Sequence, residues 1–243
     1  KKEGKNMEIM LKTTDLCKSF KNQKAVNHIS LNVAKGKVYG LLGPNGAGKS
    51  TTLKMLTGAL KPTSGAIYLD GEPWSRDKLS RIGALIENPP IYENLSAKEN
   101  LRVRALLLGA DEKRIDEVLQ IVSLTGTGKK KAGLFSLGMK QRLGIAMALL
   151  GEPELLILDE PTNGLDPIGI EELRELIRSF ADQGITVIVS SHILSEVQLI
   201  ADYVGIISNG ILGYEGAIEK GKNLEALFME VVKESRKAGD CCD

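Results

Sequence analysis

The sequence predicts an α/β fold carrying a helical insert, and three observations predict it. Glycine supplies 26 of the 243 residues, and many glycines fall between short β-branched runs, where turns belong. Strand-like and helix-like segments alternate along most of the chain, the pattern of α/β domains. One stretch, from about Ser96 to Leu150, interrupts that alternation with helical spacing throughout.

In chain order, Val26–Val33, Val38–Leu42, Ala66–Leu69 and Ile82–Ile86 read as strands, with a helix starting at Lys49. Within the insert, Asn100–Leu108, Asp111–Leu119 and Met139–Leu150 read as helices, and Ser96 with Glu99 has capping-box spacing ahead of the first. Strands resume at Leu155–Leu158, Ile185–Ser190 and Val204–Ser208, separated by helices at Ile168–Gln183 and Ile193–Ala201. Leu224, Leu227, Phe228, Val231 and Val232 recur at helical spacing and predict a last helix docked on the body. The expected organisation is an arm over residues 1–8, one domain over 9–234 with a helical subdomain at about 88–152, and a polar tail over 235–243. No linker marks a second independent domain.

Composition narrows the function. Lys and Arg number 32 against 31 Asp and Glu, a formal charge of +1, which excludes the strong field of a dedicated nucleic-acid binder or a polybasic membrane surface. Aromatics at 4% exclude a base-stacking platform. No run approaches the ~20 apolar residues needed to cross a bilayer, and no signal peptide is read. The three cysteines, Cys17, Cys241 and Cys242, cannot build a disulfide framework; the adjacent pair reads as part of a frayed tail, with metal or redox chemistry as the other reading. The expectation is a soluble cytoplasmic chain with no membrane span of its own.

The strongest local signal is GPNGAGKS at Gly43–Ser50, matching G-x-x-x-x-G-K-S between a buried-type strand and a helix. Glycines let consecutive N–H groups face phosphate oxygens, and the helix N-terminus adds partial positive charge. Gly43, Pro44, Asn45, Gly46, Ala47, Gly48, Lys49, Ser50 and Thr51 form this predicted cradle. Lys49 would reach the β- and γ-phosphates of ATP, and Ser50 would ligate Mg²⁺. Downstream, LLILDE at Leu155–Glu160 is four apolar residues and then two carboxylates, the look of a buried parallel strand whose acids emerge at its carboxyl end. Asp159 would hold Mg²⁺ and Glu160 would be the general base for the attacking water.

With these motifs in place the chain resembles the ATP-binding subunits of ABC transporters, from about Ile9 to the last helix. FSLGMKQR at Phe135–Arg142 resembles the signature motif, PTNGLDP at Pro161–Pro167 the D-loop, and SSHILSEV at Ser190–Val197 the switch-histidine segment. The resemblance implies a P-loop NTPase (RecA-like) core with an antiparallel β subdomain and a helical insert. It implies that His192 reaches the γ-phosphate, and that Phe20, after a strand, stacks on adenine; core packing is the plainer reading of Phe20. Ser136 and Gly138 would bind phosphate, and Ser136 is equally a helix N-cap, two compatible roles. It implies a head-to-tail homodimer, each ATP lying between one subunit's Gly43–Thr51 and the partner's Ser136–Gly138, with Asp166 shaping the opposing site.

Two departures narrow the resemblance. Glu87 stands where most members carry a glutamine that contacts Mg²⁺; the alternative is that it points to solvent. Phe135, Leu137 and Met139 replace the Leu, first Gly and Gln of the usual signature. Together with SLGMKQRLGIA and NGLDPIGI, these features resemble the bacitracin-export and lantibiotic-immunity branch. The branch implies an exporter of peptide antibiotics on the inner face of the cell membrane, docked near Pro89–Leu108 on separate transmembrane permease subunits. The same motifs would serve a nucleotide-dependent regulatory or sensing ATPase without direct transport. A chromosome or repair ATPase is disfavoured because the insert is short and lacks heptads.

Overall fold

A computed structural model describes residues 7–21, 23–219 and 223–239; Lys1–Asn6, the first six residues of the predicted arm, and the Cys241–Cys242 pair lie outside them. The chain opens with β1 (Ile9–Phe20), β2 (Gln23–Ile29) and β3 (Asn32–Ala34), then β4 (Val38–Leu42) and α1 (Lys49–Leu56). After β5 (Ser64–Leu69), β6 (Glu72–Pro73) and β7 (Ile82–Leu85) come the helices α2 (Ala97–Leu108), α3 (Glu112–Ile121) and α4 (Leu137–Leu149). The remainder is β8 (Leu155–Asp159), α5 (Pro167–Asp182), β9 (Thr186–Ser191), α6 (Leu194–Ile200), β10 (Tyr203–Ser208), β11 (Ile211–Ala217) and α7 (Leu224–Gly239).

Two sheets result. The larger has the order β11-β10-β4-β9-β8-β7, parallel throughout except for β11 at one edge. Its central strands β4, β8 and β9 are buried at every position. Strands covered on both faces read as continuous apolar runs, which is why VYGLL and LLILD are legible in sequence. The smaller sheet is antiparallel, with β1 pairing β2, β3 and β5, and β5 pairing β6. One core fills the space between the two sheets around Leu11, Ile29, Leu41, Leu53 and Ile157. A second lies under the insert, where Leu101, Val118 and Leu143 pack with Leu85, Leu158 and Phe180.

The structure alters the strand reading in three places. Val26–Val33 is two strands, because β2 and β3 pair with different parts of β1. Thr13 fixes the break: its Oγ1 donates to Ile29 O at 2.9 Å and accepts from Leu31 N at 2.8 Å. β1 itself is long but bulged, with register shifts against all three partners and Asp15 at φ 48°, so its apolar residues do not alternate cleanly. β11 escapes the sequence reading because, as an edge strand, it mixes exposed and half-buried positions.

The helix starts follow local chemistry. Ser96 and Glu99 form the full capping box on α2, and Ser136 and Asp166 cap α4 and α5 by accepting from Met139 N at 3.3 Å and Gly169 N at 2.7 Å. The cap at Ser136 starts α4 two residues earlier than the predicted Met139. Among the described residues no helix is long and apolar enough to cross a membrane.

Candidate functional site

The order β4-β9-β8 in the large sheet places three loops side by side at its carboxyl edge, where open parallel sheets bind ligands. The cradle leaves β4, His192 follows β9, and Glu160 follows β8. A cavity of about 410 Å³ opens there, lined by residues 45–51 and Glu160 together with residues 23–25, Asn163, Asn209 and Gly210.

The cradle's backbone conformation needs glycine at Gly48. Its φ is 104°, and a Cβ there would stand 2.5 Å from Ala25 O. With that bend made, α1 begins at Lys49 and its N-terminus faces the cavity side of the loop. Lys49 is only 5% exposed, and its ammonium is held by Gly43 O at 2.7 Å, Pro44 O at 3.3 Å and Glu160 Oε1 at 3.1 Å. A buried charge needs such partners, and here backbone carbonyls and a carboxylate supply them.

Glu160 sits at φ 48°, a left-handed conformation uncommon outside glycine and often found where a side chain is aimed at a site. Its N–H donates to Ser190 Oγ at 2.9 Å, and the same hydroxyl donates to Asp159 Oδ1 at 2.6 Å. Ser190, fully buried on the neighbouring strand, therefore fixes both acids. The other Glu160 oxygen meets His192 Nδ1 at 2.8 Å. An ionised carboxylate only accepts, so Nδ1 carries the proton in this contact. Lys49, Glu160 and His192 thus form one chain of contacts assembled from three strand ends.

The other predicted residues divide. Phe20 is 49% exposed rather than in the core; it pairs in register with Gln23, a lining residue, and Lys18 Nζ lies 5.1 Å from its ring centroid. Asp159 is buried beneath the lining residues. Glu87, at φ 60°, is not brought to the cavity: its carboxylate meets Lys54 Nζ of α1 at 2.6 Å on the exposed side. Ser136, Gly138 and Asp166 lie elsewhere, around a second cavity of about 440 Å³ between α4 and α5 that shares no lining residue with the first.

Sequence reading missed Ser190 as the link between the acids, and Gln23, Lys24, Asn163, Asn209 and Gly210 as lining residues. Asn163 was within reach, inside PTNGLDP. The Asn209-Gly210 turn was hidden because β11 was. It also missed Thr162 Oγ1 donating to Glu196 Oε2 at 2.5 Å, a buried bond tying the turn after β8 to α6.

The residues fit a nucleotide. The cavity offers an ammonium, a helix N-terminus and loop N–H groups to phosphates, beside a carboxylate that can take a proton. Ser50 and Asp159 are hard oxygen donors of the kind Mg²⁺ takes.

Comparison with known proteins agrees. A family model described as ABC transporter matches residues 26–163. The lantibiotic transport ATP-binding protein SrtF of Streptococcus pyogenes is 52% identical over 219 residues, covering 90% of this chain and 96% of that protein. The bacitracin transport ATP-binding protein BcrA of Bacillus licheniformis is 53% identical over 229 residues, covering 92% and 75%. Among solved structures, the dimeric post-hydrolysis state of the ATP-binding cassette MJ0796 bound to ADP and Pi superposes with a TM-score of 0.77 at 26% identity, covering 86% of this chain and 99% of that one. With the Gly43–Thr51 loop, the paired acids and His192 gathered at one sheet edge, the chain belongs to the ABC transporter family, as an ATP-binding and ATP-hydrolysing subunit of a transporter.

Proposed function

We propose that this subunit powers an exporter of peptide antibiotics of the lantibiotic or bacitracin type, by ATP-driven head-to-tail closure of two copies of the chain. One observation carries the closure: the cradle cavity and the Ser136–Asp166 cavity are separate within one chain. A single ATP would join both only if the second cavity came from a partner. The cargo class rests on two relatives at 52% and 53% identity, named for lantibiotic and bacitracin transport. Separate permease subunits would supply the path through the membrane, placing the chain on its inner face.

In this reading Phe20 stacks on adenine, and the loop N–H groups of residues 43–51 hold the phosphates. Lys49 exchanges the Glu160 carboxylate for the β- and γ-phosphate oxygens, freeing Glu160 Oε1. Glu160 then takes a proton from the attacking water, and His192, anchored through Nδ1–H, would reach the γ-phosphate through Nε2 only as an imidazolium that carries a proton on both ring nitrogens. The partner's Ser136 hydroxyl and Gly138 N–H approach the same phosphate, and Asp166 shapes the far wall. Mg²⁺, held by the Ser50 hydroxyl and the Asp159 carboxylate, would neutralise developing phosphate charge. Glu87 joins that shell only by leaving Lys54. Closure by ATP and release on hydrolysis is a ligand-biased two-state switch.

Glu160→Gln should keep ATP binding, abolish turnover and trap a dimer visible by light scattering. Normal phosphate release from that variant would remove Glu160 as the base. Co-reconstitution with the permease subunits should raise ATPase activity further when lantibiotic or bacitracin is added. No response to either peptide would sink the cargo assignment.

A further inference from the structure

The cavity between α4 and α5 holds a polar group that nothing answers. Gln141 is 6% exposed and lines this cavity, yet its Oε1 has no hydrogen-bond partner. Among the described residues no hydrogen bond is made at either end of the amide, so flipping it does not help. Buried side-chain amides nearly always find partners, and a persistent orphan requires an explanation. A donor that arrives in another state of the molecule is one.

The turn after β8 is placed to bring that donor. Gly164 has φ 75°, and a Cβ on it would stand 2.7 Å from Leu137 Cδ2. Leu137 and Gln141 are four apart on α4 and share a face, so the turn lies against the face that carries the orphan amide. Both Gly164 and Gln141 line the cavity. The turn is tied at its ends, Asn163 N donating to Glu160 O at 3.2 Å and Leu165 N to Thr162 O at 3.1 Å. The Gly164 N–H between them has no acceptor among the described residues; Gly164 is exposed, so water serves it.

We infer that in the closed, ATP-bound pair Gln141 Oε1 accepts the Gly164 N–H, making Gln141 a positioning residue that fixes the turn carrying Asp166. The inference rests on the head-to-tail pairing proposed above. A partner covering this face expels the water that serves Gly164, and a dry N–H then needs a protein acceptor. In the open chain the orphan amide disfavours the state in which it stands; closure satisfies donor and acceptor together.

Gln141→Leu tests this on the full-length chain, with Gln141→Met as a second, unbranched replacement. The nucleotide-free melting temperature should be equal to or above the parent's, because an unsatisfied polar group is gone. ADP affinity, which reports the cradle alone, should stay within about twofold. In the Glu160→Gln background, ATP-dependent dimerisation followed by light scattering should weaken about tenfold, the worth of one neutral hydrogen bond. A fall of several degrees in melting temperature for both replacements would make Gln141 a plain structural residue and overturn the inference, as would dimerisation equal to the parent's. If the Glu160→Gln parent itself stays monomeric with ATP, the pairing falls and this inference with it. A dimerising parent with unaffected Gln141 variants overturns this inference alone.

Discussion

The cradle cavity and the cavity between α4 and α5 have similar volumes, about 410 and 440 Å³, and opposite internal states. At the cradle the buried and half-buried charges are answered within the chain, Lys49 by two carbonyls and Glu160, Glu160 by His192, and Asp159 by Ser190, while the exposed Lys24 side chain at the edge has no partner among the described residues. At the second cavity Ser136 and Asp166 are spent on capping their own helices, Gln141 has no partner among the described residues, and Ile168 on the rim is 71% exposed. A neutralised, wired site is preorganised for chemistry. An orphan amide near an exposed Ile168 is what the proposed pairing would cover.

Breaking the first side of this contrast should have the largest effect. Lys49→Ala removes the charge proposed to hold the phosphates and leaves Glu160 without its cation. It should cost at least about 3 kcal/mol, a hundredfold or more in phosphate release. Near-normal release would count against the whole cradle assignment.

The second side is tested at Ser136. Ser136→Ala loses the N-cap, worth about 1 kcal/mol, which lowers the melting temperature by about 2–4 °C for a chain of this size. ADP affinity should be untouched, whereas ATP-dependent dimerisation should fall well beyond what the cap alone explains. A change confined to melting temperature would leave Ser136 as a cap only.

Smaller effects sharpen the border of the cradle. Glu87 and Lys54 are an exposed pair, so Glu87→Gln should change stability by no more than about 0.5 kcal/mol. Its expected signature is a shift in the Mg²⁺ concentration that half-saturates ATPase activity, and an unchanged Mg²⁺ titration removes Glu87 from the metal shell.

The smallest effect concerns pH. Bonds from Ser96 and then the Lys131 ammonium hold the Glu99 carboxyl down to about 2. An acid with a depressed folded value adds stability above its unfolded value and loses it as pH falls towards 2. Glu99→Gln should therefore flatten the wild type's loss of melting temperature below about pH 4.5, with little change near neutrality. An unchanged acid limb would mean that the capping box of α2 contributes nothing measurable.

Legibility followed the distance between interacting groups. The cradle is nine consecutive residues, the capping box spans four, and the buried strands are short apolar runs, so each carries its physics in its own spacing. The bulged β1 and the edge strand β11 were harder, since a register shift or a half-covered face erases the alternation that reveals a strand. Glu87 illustrates the limit: its position after β7 left a metal-shell role and a solvent-facing one both open, and nothing in the sequence signalled that its carboxylate would meet Lys54, a residue on a different element.

By itself the sequence determined the α/β plan with its insert, the glycine-rich Gly43–Thr51 loop between strand and helix, the two acids at the end of β8 and the helix caps, because each depends on neighbours a few bonds away. Only the tertiary structure decided that Ser190 joins Asp159 to Glu160, that Glu160 bridges Lys49 and His192, and that Gln141 stands without a partner beside Gly164. Those relations join residues from separate strands and helices. They exist only once burial has chosen which elements lie side by side.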